Sequence, residues 1–208
     1  MIDTTKIIDI SMDLDEKTVV WTADPQPKLI PIARQPKDEC NFTWLDFGSH
    51  AGTHVDAPFY LFKDKWTSDK IPFDRIVGRC QVLDMTSIPD TITDEDLKKI
   101  EIKQKIVLFK TQNSFDEMKS FNPMHIAMSQ EAAKYLVSLG VYTVGFDYQT
   151  VEREGKNELH KIFMSQDVIS IDNLRLAHVD EGEYDFICLP IKVIGIDAGP
   201  ARALLIKD

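Results

Sequence analysis

The sequence predicts an α/β fold with a mixed sheet, and three observations support this prediction. The amino-terminal third consists largely of short β-branched runs separated by turn-forming residues, which is typical of strands. The second half contains an amphipathic segment between two apolar runs, which indicates a strand–helix–strand unit. The chain has 208 residues, 43% of them hydrophobic, with no repeat and no shift in composition. We therefore expect one domain over residues 1–208 with its own core.

Short strands and one short helix are expected before residue 105. The helix begins after Thr93, whose side chain is a suitable cap for a first turn rich in acidic residues. A further segment, Asn41–Ser49, alternates aromatic and polar residues. The predicted strands are the runs Lys6–Met12, Thr18–Trp21, Lys28–Ile32 and Cys80–Met85.

A βαβ unit is expected next. Ligands of such sheets favour the carboxyl ends of the strands, so Thr111 and Asp147 are expected beside a cleft. An equally open alternative is that Asp147 only caps a loop. The unit comprises a buried strand, a capped helix and a second strand, at Lys105–Lys110, from Ser129 to Gly140, and at Val141–Phe146.

The last third is expected to return to the sheet. Asn157 is a candidate cap for a helix that runs through Gln166 and carries His160. By itself, a histidine on a helix is most often structural. Strands are expected at Val168–Ile171, which is followed by Asp172, and at Tyr184–Leu189 and Ala203–Ile206.

The chemistry centres on residues 50–60, His-Ala-Gly-Thr-His-Val-Asp-Ala-Pro-Phe-Tyr. Imidazole nitrogen and carboxylate oxygen are ligands that a divalent metal such as zinc prefers, and three protein ligands leave a position for water. In an extended segment His50, His54 and Asp56 project to one side. Gly52 then leaves space for the metal between the two imidazoles. We therefore predict a metal site, with a structural hydrogen bond between histidine and aspartate as the alternative.

Composition restricts the partners and the compartment. The formal net charge of -10 disfavours nucleic acid and acidic membrane surfaces, and no apolar run approaches the ~20 residues needed to cross a bilayer. Residues 1–5 lack the pattern of a signal segment, and three widely spaced cysteines favour free thiols. We expect a cytoplasmic protein that acts on a small molecule.

With the motif at residues 50–60, the chain resembles the cyclase family of metal-dependent hydrolases, the family of kynurenine formamidase and isatin hydrolase. The family signature is H-x-G-T-H-x-D-x-P-x-H; His50 to Pro58 match every specified position, and Tyr60 replaces the final histidine. The resemblance implies a swivelling β/β/α architecture, a homodimer or homotetramer, and a supporting role for Asp147. It also implies that Trp21 lies near the substrate, where it could stack on an aryl group; packing in a core or interface is the alternative.

The resemblance also implies one or two divalent ions, with zinc as the first choice and manganese as the second. One ion is held by His50, His54 and Asp56. In binuclear members of the family, Asp56 bridges to a second ion that also uses the positions of His160 and Asp172. At position 172 the family has glutamate, so the carboxylate here is shorter by one methylene.

Such a site suits hydrolysis of an amide, formamide, cyclic imide or lactone, because a bound metal lowers the pKa of water to about 7 and polarises a carbonyl. No Gly-x-Ser-x-Gly elbow or clear serine or cysteine triad supports covalent catalysis. Tyr60 is the departure, since a phenol with a pKa near 10 is a poor base but can donate to an oxyanion. Two interpretations stay open. In one, the chain is an enzyme whose activated water needs little help or uses Asp172 or Asp147 as the base. In the other, it is a catalytically impaired family member that binds a metal or small ligand.

Overall fold

The computed structural model describes residues 3–21, 23–153 and 156–207. These residues form twelve strands and three α-helices, together with short 3-10 turns. In chain order the elements are β1 (Ile7–Asp9), β2 (Lys28–Ala33), β3 (Phe42–Asp46), β4 (His54–Asp56), β5 (Val77–Asp84), β6 (Thr91–Ile92), α1 (Asp94–Leu97), β7 (Ile106–Lys110), β8 (Ala127–Met128), α2 (Gln130–Ser138), β9 (Thr143–Phe146), α3 (Glu158–Ser165), β10 (Ile169–Asp172), β11 (Gly182–Pro190) and β12 (Ala198–Ile206).

The main sheet of the described chain has eight strands in the order β1-β12-β11-β5-β7-β9-β10-β4. Strand β12 also pairs with β4, so the sheet closes on itself like a barrel. Its centre is parallel, from β5 through β7 and β9 to β10, whereas β4, β11 and β12 pair antiparallel. The predicted mixed α/β fold is therefore confirmed.

The predicted βαβ unit is also confirmed, because β7 and β9 are parallel neighbours joined through α2. Ser129 caps α2 by accepting from the Ala132 backbone N–H at 3.1 Å. Thr93 caps α1 in a capping box with Asp96, as the acidic first turn predicted.

Alternate residues of the strands divide the core into two clusters. Ile106 and Leu108 of β7 face the interior of the closed sheet, whereas Val107 and Phe109 face the helices. Gly145 belongs to the interior side, since a Cβ atom there would lie 2.5 Å from Leu108 Cδ2. The helices thus cover the outer face of the parallel strands.

Two predicted elements differ from the structure. Residues 18–21 are not a strand, because local turns and side chains satisfy their backbone instead: Gln26 Nε2 donates to the Thr18 carbonyl and Gln149 Nε2 to the Val19 carbonyl. The last strand begins at Ala198 rather than Ala203, because residues 198–200 pair with β4. Both differences depend on contacts with residues distant in sequence.

Strands β2 and β3 form a separate two-stranded sheet between the first residues of the chain and the histidine motif.

Among the described helices, none is both long and apolar enough to cross a membrane.

Candidate metal centre

The closed sheet and helix α3 bring the motif and two distant side chains together. Strands β4 and β10 are antiparallel, with His54 opposite Asp172 and Asp56 opposite Ser170. These side chains share one face, since the intervening Val55 and Ile171 lie in the interior cluster. Helix α3 packs against this face of β10 and contributes His160, which is 4% exposed.

The site consists of two overlapping groups of possible ligands. Within each group the donor atoms lie within 4.8 Å of one another, and Asp56 belongs to both. Asp56 Oδ1 lies 3.1 Å from His50 Nδ1 and 3.4 Å from His54 Nε2. Its other oxygen, Oδ2, lies 3.8 Å from His160 Nε2. The structure therefore brings together the five residues predicted as metal ligands: His50, His54 and Asp56 in one group, and Asp56, His160 and Asp172 in the other.

Each of the three histidines has an inner ring nitrogen, which faces Asp56, and an outer ring nitrogen, which faces away from it. The outer nitrogen bonds an oxygen acceptor in all three. His54 Nδ1 lies 2.9 Å from the Gly52 carbonyl, His160 Nδ1 lies 2.7 Å from Glu152 Oε1, and His50 Nε2 lies 2.7 Å from Asp197 Oδ2. A carbonyl or carboxylate acceptor fixes the proton on that nitrogen. The inner nitrogen faces the carboxylates and is the one that would bind a metal ion, as metal-bound histidines in proteins are held.

Residues 50–60 do not form the single extended segment that the spacing predicted. Only His54–Asp56 is a strand; a turn precedes it and the 3-10 turn Pro58–Tyr60 follows. Gly52 has a φ of +64°, and a Cβ atom there would contact Leu14 rather than fill the space between the imidazoles. The glycine is therefore explained by the left-handed turn that directs its carbonyl to His54.

The carboxylates set the protonation of the metal-free site. Burial lowers the pKa of His50, but the charge of Asp56 and the hydrogen bond to Asp197 outweigh it and raise the pKa to about 11. Burial likewise lowers the pKa of His160, and hydrogen bonds to Asp172 and Glu152 raise it to about 10. Burial raises the pKa of Asp56, but the surrounding imidazoles hold it well below its usual value. At neutral pH the imidazoles of His50 and His160 are therefore protonated in the metal-free protein, and a metal ion would displace their inner protons.

One buried oxygen tests whether these residues fit a metal ion. Asp56 Oδ1 is buried and has no hydrogen-bond partner among the described residues, although two imidazole nitrogens lie close to it. Leaving a charged oxygen unsatisfied is costly, and an ion shared with the two imidazoles would satisfy it. Nitrogen and carboxylate donors in this number suit zinc or manganese. The residues fit a divalent ion.

The candidate ligands form the floor of a cleft of about 460 Å³. Tyr60 lies in its wall, with its ring 4.9 Å from the His50 ring and 6.1 Å from the His160 ring. Burial and the charge of Asp56 raise the pKa of Tyr60, and a hydrogen bond from the Asn157 side chain lowers it only in part. Trp21 lines the same cleft and packs edge-on against Phe121 at 4.9 Å.

Thr111 and Asp147 are fully buried but do not line the cleft. Asp147 accepts hydrogen bonds from the backbone N–H groups of Thr111 and Ser114 and from both of their hydroxyls. These contacts hold the turn that follows β7, which corresponds to the alternative of a loop cap. None of these four hydrogen bonds joins Asp147 to a candidate metal ligand.

The sequence reasoning missed Glu152 and Asp197, the two carboxylates that hold His160 and His50. Glu152 also accepts from the Glu158 and Leu159 backbone N–H groups at 2.8 and 3.3 Å, and so caps α3. Asn157 occupies the N-cap position, but its side chain makes no capping bond, so the prediction that it caps the helix is wrong. The family pattern and local periodicity carried no signal for Glu152, since it lies six residues before the helix.

The fold and the site define an α/β protein with a candidate centre for one or two divalent ions. Comparison with known proteins identifies the family. The Cyclase family model matches residues 8–153, which is more than half of the chain. The chain therefore belongs to the Cyclase family.

Three similar proteins extend this result. A kynurenine formamidase from Salinibacter ruber is 29% identical over 204 residues, covering 96% of each chain. A solved structure described as a potential metal-dependent hydrolase with cyclase activity is 35% identical, with a TM-score of 0.87 and 98% coverage of each chain. An isatin hydrolase bound to the product analogue thioisatinate has a TM-score of 0.82 at 19% identity, covering 97% of this chain and 92% of the other; that likeness supports the fold alone.

Proposed function

We propose that this chain hydrolyses an aryl formamide, a cyclic imide or a lactone with water activated at the centre formed by the two ligand groups. The observation that carries the proposal is the arrangement of His50, His54 and His160, whose inner nitrogens converge on Asp56 while their outer nitrogens are bonded to oxygens. A histidine with a purely structural role would need no second nitrogen directed at a shared carboxylate. Zinc is the proposed ion and manganese the second choice. The proposal includes the family's swivelling β/β/α architecture.

The chain's own residues suit this chemistry. His50, His54 and Asp56 would hold one ion, and Asp56, His160 and Asp172 a second. A divalent ion bound there supplies a Lewis acid for the carbonyl and acidifies a water molecule.

Tyr60 is proposed as a hydrogen-bond donor rather than a base. Its raised pKa keeps the phenol protonated at neutral pH. Tyr60 lines the cleft, so its hydroxyl can donate to a bound substrate. There it would stabilise negative charge on the carbonyl oxygen during hydrolysis. Of the two carboxylates considered as the base, Asp172 lines the cleft and Asp147 does not.

The walls of the cleft favour a neutral aryl substrate. Trp21 offers a ring beside Val19 and Val20, and none of the described residues that line the cleft is a lysine or arginine. Asp24 and Asp197 also line it, so substrates with several negative charges are disfavoured. The formamide substrate that the name of the Salinibacter relative implies is one candidate, and a cyclic amide such as isatin is another.

Metal analysis and turnover test the proposal together. The purified chain should bind zinc or manganese stoichiometrically, and His54→Ala should lose the ion. His178→Ala is the matched control, because that histidine is exposed and its hydrogen bond among the described residues is to the Asp9 carbonyl. At least one of three test compounds, N-formylkynurenine, formanilide and isatin, should be hydrolysed. A chelator should stop that hydrolysis, and added metal should restore it. A wild type that binds neither ion after supplementation would refute the proposed function.

The second candidate is a binding protein without turnover, and Tyr60 at the histidine position of the family signature favours it. A binder would raise its melting temperature with ligand by mass action but release no product. Tyr60→Phe separates the two, since loss of an oxyanion donor should lower turnover roughly 10²–10³-fold with metal content unchanged. If tyrosine only fills a position where the family has a proton shuttle, Tyr60→His should instead raise turnover.

A further inference from the structure

The residues between the turn that follows β7 and the start of β8 form a loop without helix or strand, here called the 116–126 loop. Its Phe121 packs against Trp21, with the ring centroids 4.9 Å apart and the ring planes at 75°. Trp21 lines the cleft, whereas Phe121 is not among the residues that line it. The loop therefore contacts the aromatic wall of the cleft from outside.

Two buried rings and a pair of hydrogen bonds hold the loop at Phe121. Tyr148, which is fully buried two residues after β9, lies 5.9 Å from the Phe121 ring, and His125 stacks on Tyr148 at 4.2 Å. The Tyr148 hydroxyl accepts from the Asn122 backbone N–H at 2.5 Å and donates to the Asn122 carbonyl at 3.1 Å. The backbone next to Phe121 is thus tied to the end of the main sheet.

Trp21 depends on the same part of the sheet. Residues 18–21 lie outside any strand, and Gln149, which follows Tyr148, donates from Nε2 to the Val19 carbonyl at 2.6 Å. This bond holds the backbone of the segment but leaves the side-chain torsions of Trp21 open. Among the described residues, Phe121 is the aromatic partner of the Trp21 ring. Phe121 is therefore the residue placed to fix the orientation of the indole.

Core packing does not account for this pair. Neither Trp21 nor Phe121 belongs to either core cluster of the described chain, and both are partly exposed. An edge-to-face contact, by contrast, specifies the relative orientation of two rings beyond the area that it buries. The pair is thus better suited to orienting one ring than to stabilising the fold.

We propose that Phe121 is a positioning residue for Trp21, and that the fixed indole makes the cleft selective for planar aryl ligands over saturated rings of the same size. A ring held in its binding orientation before the ligand arrives loses less side-chain entropy on binding. A flat aryl group can stack on the indole, whereas a puckered saturated ring makes fewer close contacts with it. The inference rests on the proposed function in one respect, that the cleft beside the candidate metal ligands is the substrate site.

Fluorine NMR of the full chain labelled with fluorotryptophan tests this inference without a measurement of metal or turnover, so its failure is distinguishable from failure of the proposed function. The chain has three tryptophans, and Trp21→Phe assigns the Trp21 signal. Phe121→Ala should shift that signal, because the neighbouring ring is lost, and leave the signals of Trp44 and Trp66 in place. Phe115→Ala is the matched control, since Phe115 is 56% exposed and is not the ring that packs on Trp21.

Titrations followed by the Trp21 signal test the selectivity. The probes are benzyl alcohol and cyclohexylmethanol, two neutral alcohols of similar size without a hydrolysable bond. The wild type should bind benzyl alcohol more tightly. Phe121→Ala should weaken that binding roughly 3–10-fold, the worth of one aromatic pair, and leave cyclohexylmethanol binding unchanged. Phe121→Tyr, which keeps the ring, should retain the wild-type affinity for benzyl alcohol.

Tyr148→Phe is a second variant for the case in which Phe121→Ala does not fold. It removes the hydroxyl that holds Asn122 but keeps the ring, so it should shift the Trp21 signal and weaken benzyl alcohol binding in the same direction. A Trp21 signal that neither variant moves would overturn the proposal. So would equal weakening of both alcohols, which would indicate a change in cleft volume, or a wild type that does not bind benzyl alcohol.

Discussion

Replacing Glu152 with glutamine should weaken both the metal centre and helix α3, because one buried carboxylate serves both. Its Oε1 lies 2.7 Å from His160 Nδ1, and its Oε2 accepts from the Glu158 and Leu159 N–H groups. Glutamine has a single acceptor oxygen. If that oxygen faces the helix, the amide nitrogen faces His160, which must move its proton to Nε2 and lose its free inner nitrogen. If the oxygen faces His160, two helix N–H groups meet an NH₂ group.

The magnitude follows from these contacts. Loss of a partner that orients a metal-bound histidine typically costs 10–100-fold in metal affinity, which is about 1.4–2.8 kcal/mol. Loss of a buried hydrogen bond to a charged group costs about 1.5–3 kcal/mol of the free energy of unfolding. At about 2–4 °C per kcal/mol for a chain of this size, the metal-free variant should melt about 3–12 °C lower.

Competitive zinc titration and thermal unfolding of the metal-free protein measure the two effects separately. Glu158→Gln is the matched control, because it makes the same substitution at the first residue of α3, on a half-exposed side chain that pairs with Lys161 at 3.2 Å. The control should change stability by less than about 0.5 kcal/mol. If Glu152→Gln binds zinc within two-fold of wild type and melts at the wild-type temperature, the assigned role of Glu152 is wrong.

Three further outcomes test the fold around the site. Gly145→Ala should destabilise the chain by about 1–3 kcal/mol in denaturant unfolding, because the new methyl would lie 2.5 Å from Leu108 Cδ2; an unchanged midpoint would contradict that packing. Asp147→Asn should lower the free energy of unfolding by about 1–3 kcal/mol and leave the zinc affinity of the folded protein unchanged. A large loss of zinc affinity would instead support a role beside the metal ligands. Burial raises the pKa of Cys80 to about 12, so this thiol stays protonated at pH 8. After alkylation of the native protein, mass spectrometry should find one adduct, on the exposed Cys40. Three adducts would mean that the barrel interior is open.

Local sequence determined the elements whose causes lie within a few residues. The capped start of α1 at Thr93 and the βαβ unit around α2 follow from capping residues and from apolar periodicity, which act over one or two turns of chain. The motif at residues 50–60 likewise identified His50, His54 and Asp56 as one group of possible ligands. The resemblance to the family, rather than spacing, supplied His160 and Asp172, because more than a hundred residues separate them from Asp56.

Tertiary structure alone decided how these parts meet. The pairing of β12 with β4 closes the sheet, and the pairing of β4 with β10 sets Asp172 opposite His54. Tertiary contacts also made residues 50–53 a turn instead of an extended segment. The Gly52 carbonyl accepts from the distant Asn173 side chain and bonds His54 as well. Glu152 and Asp197 obtain their positions from α3 and from the loop before β12. Such hydrogen bonds join residues far apart in sequence, and a backbone or carboxylate group takes whichever partner the folded chain brings near, so no local pattern could specify them.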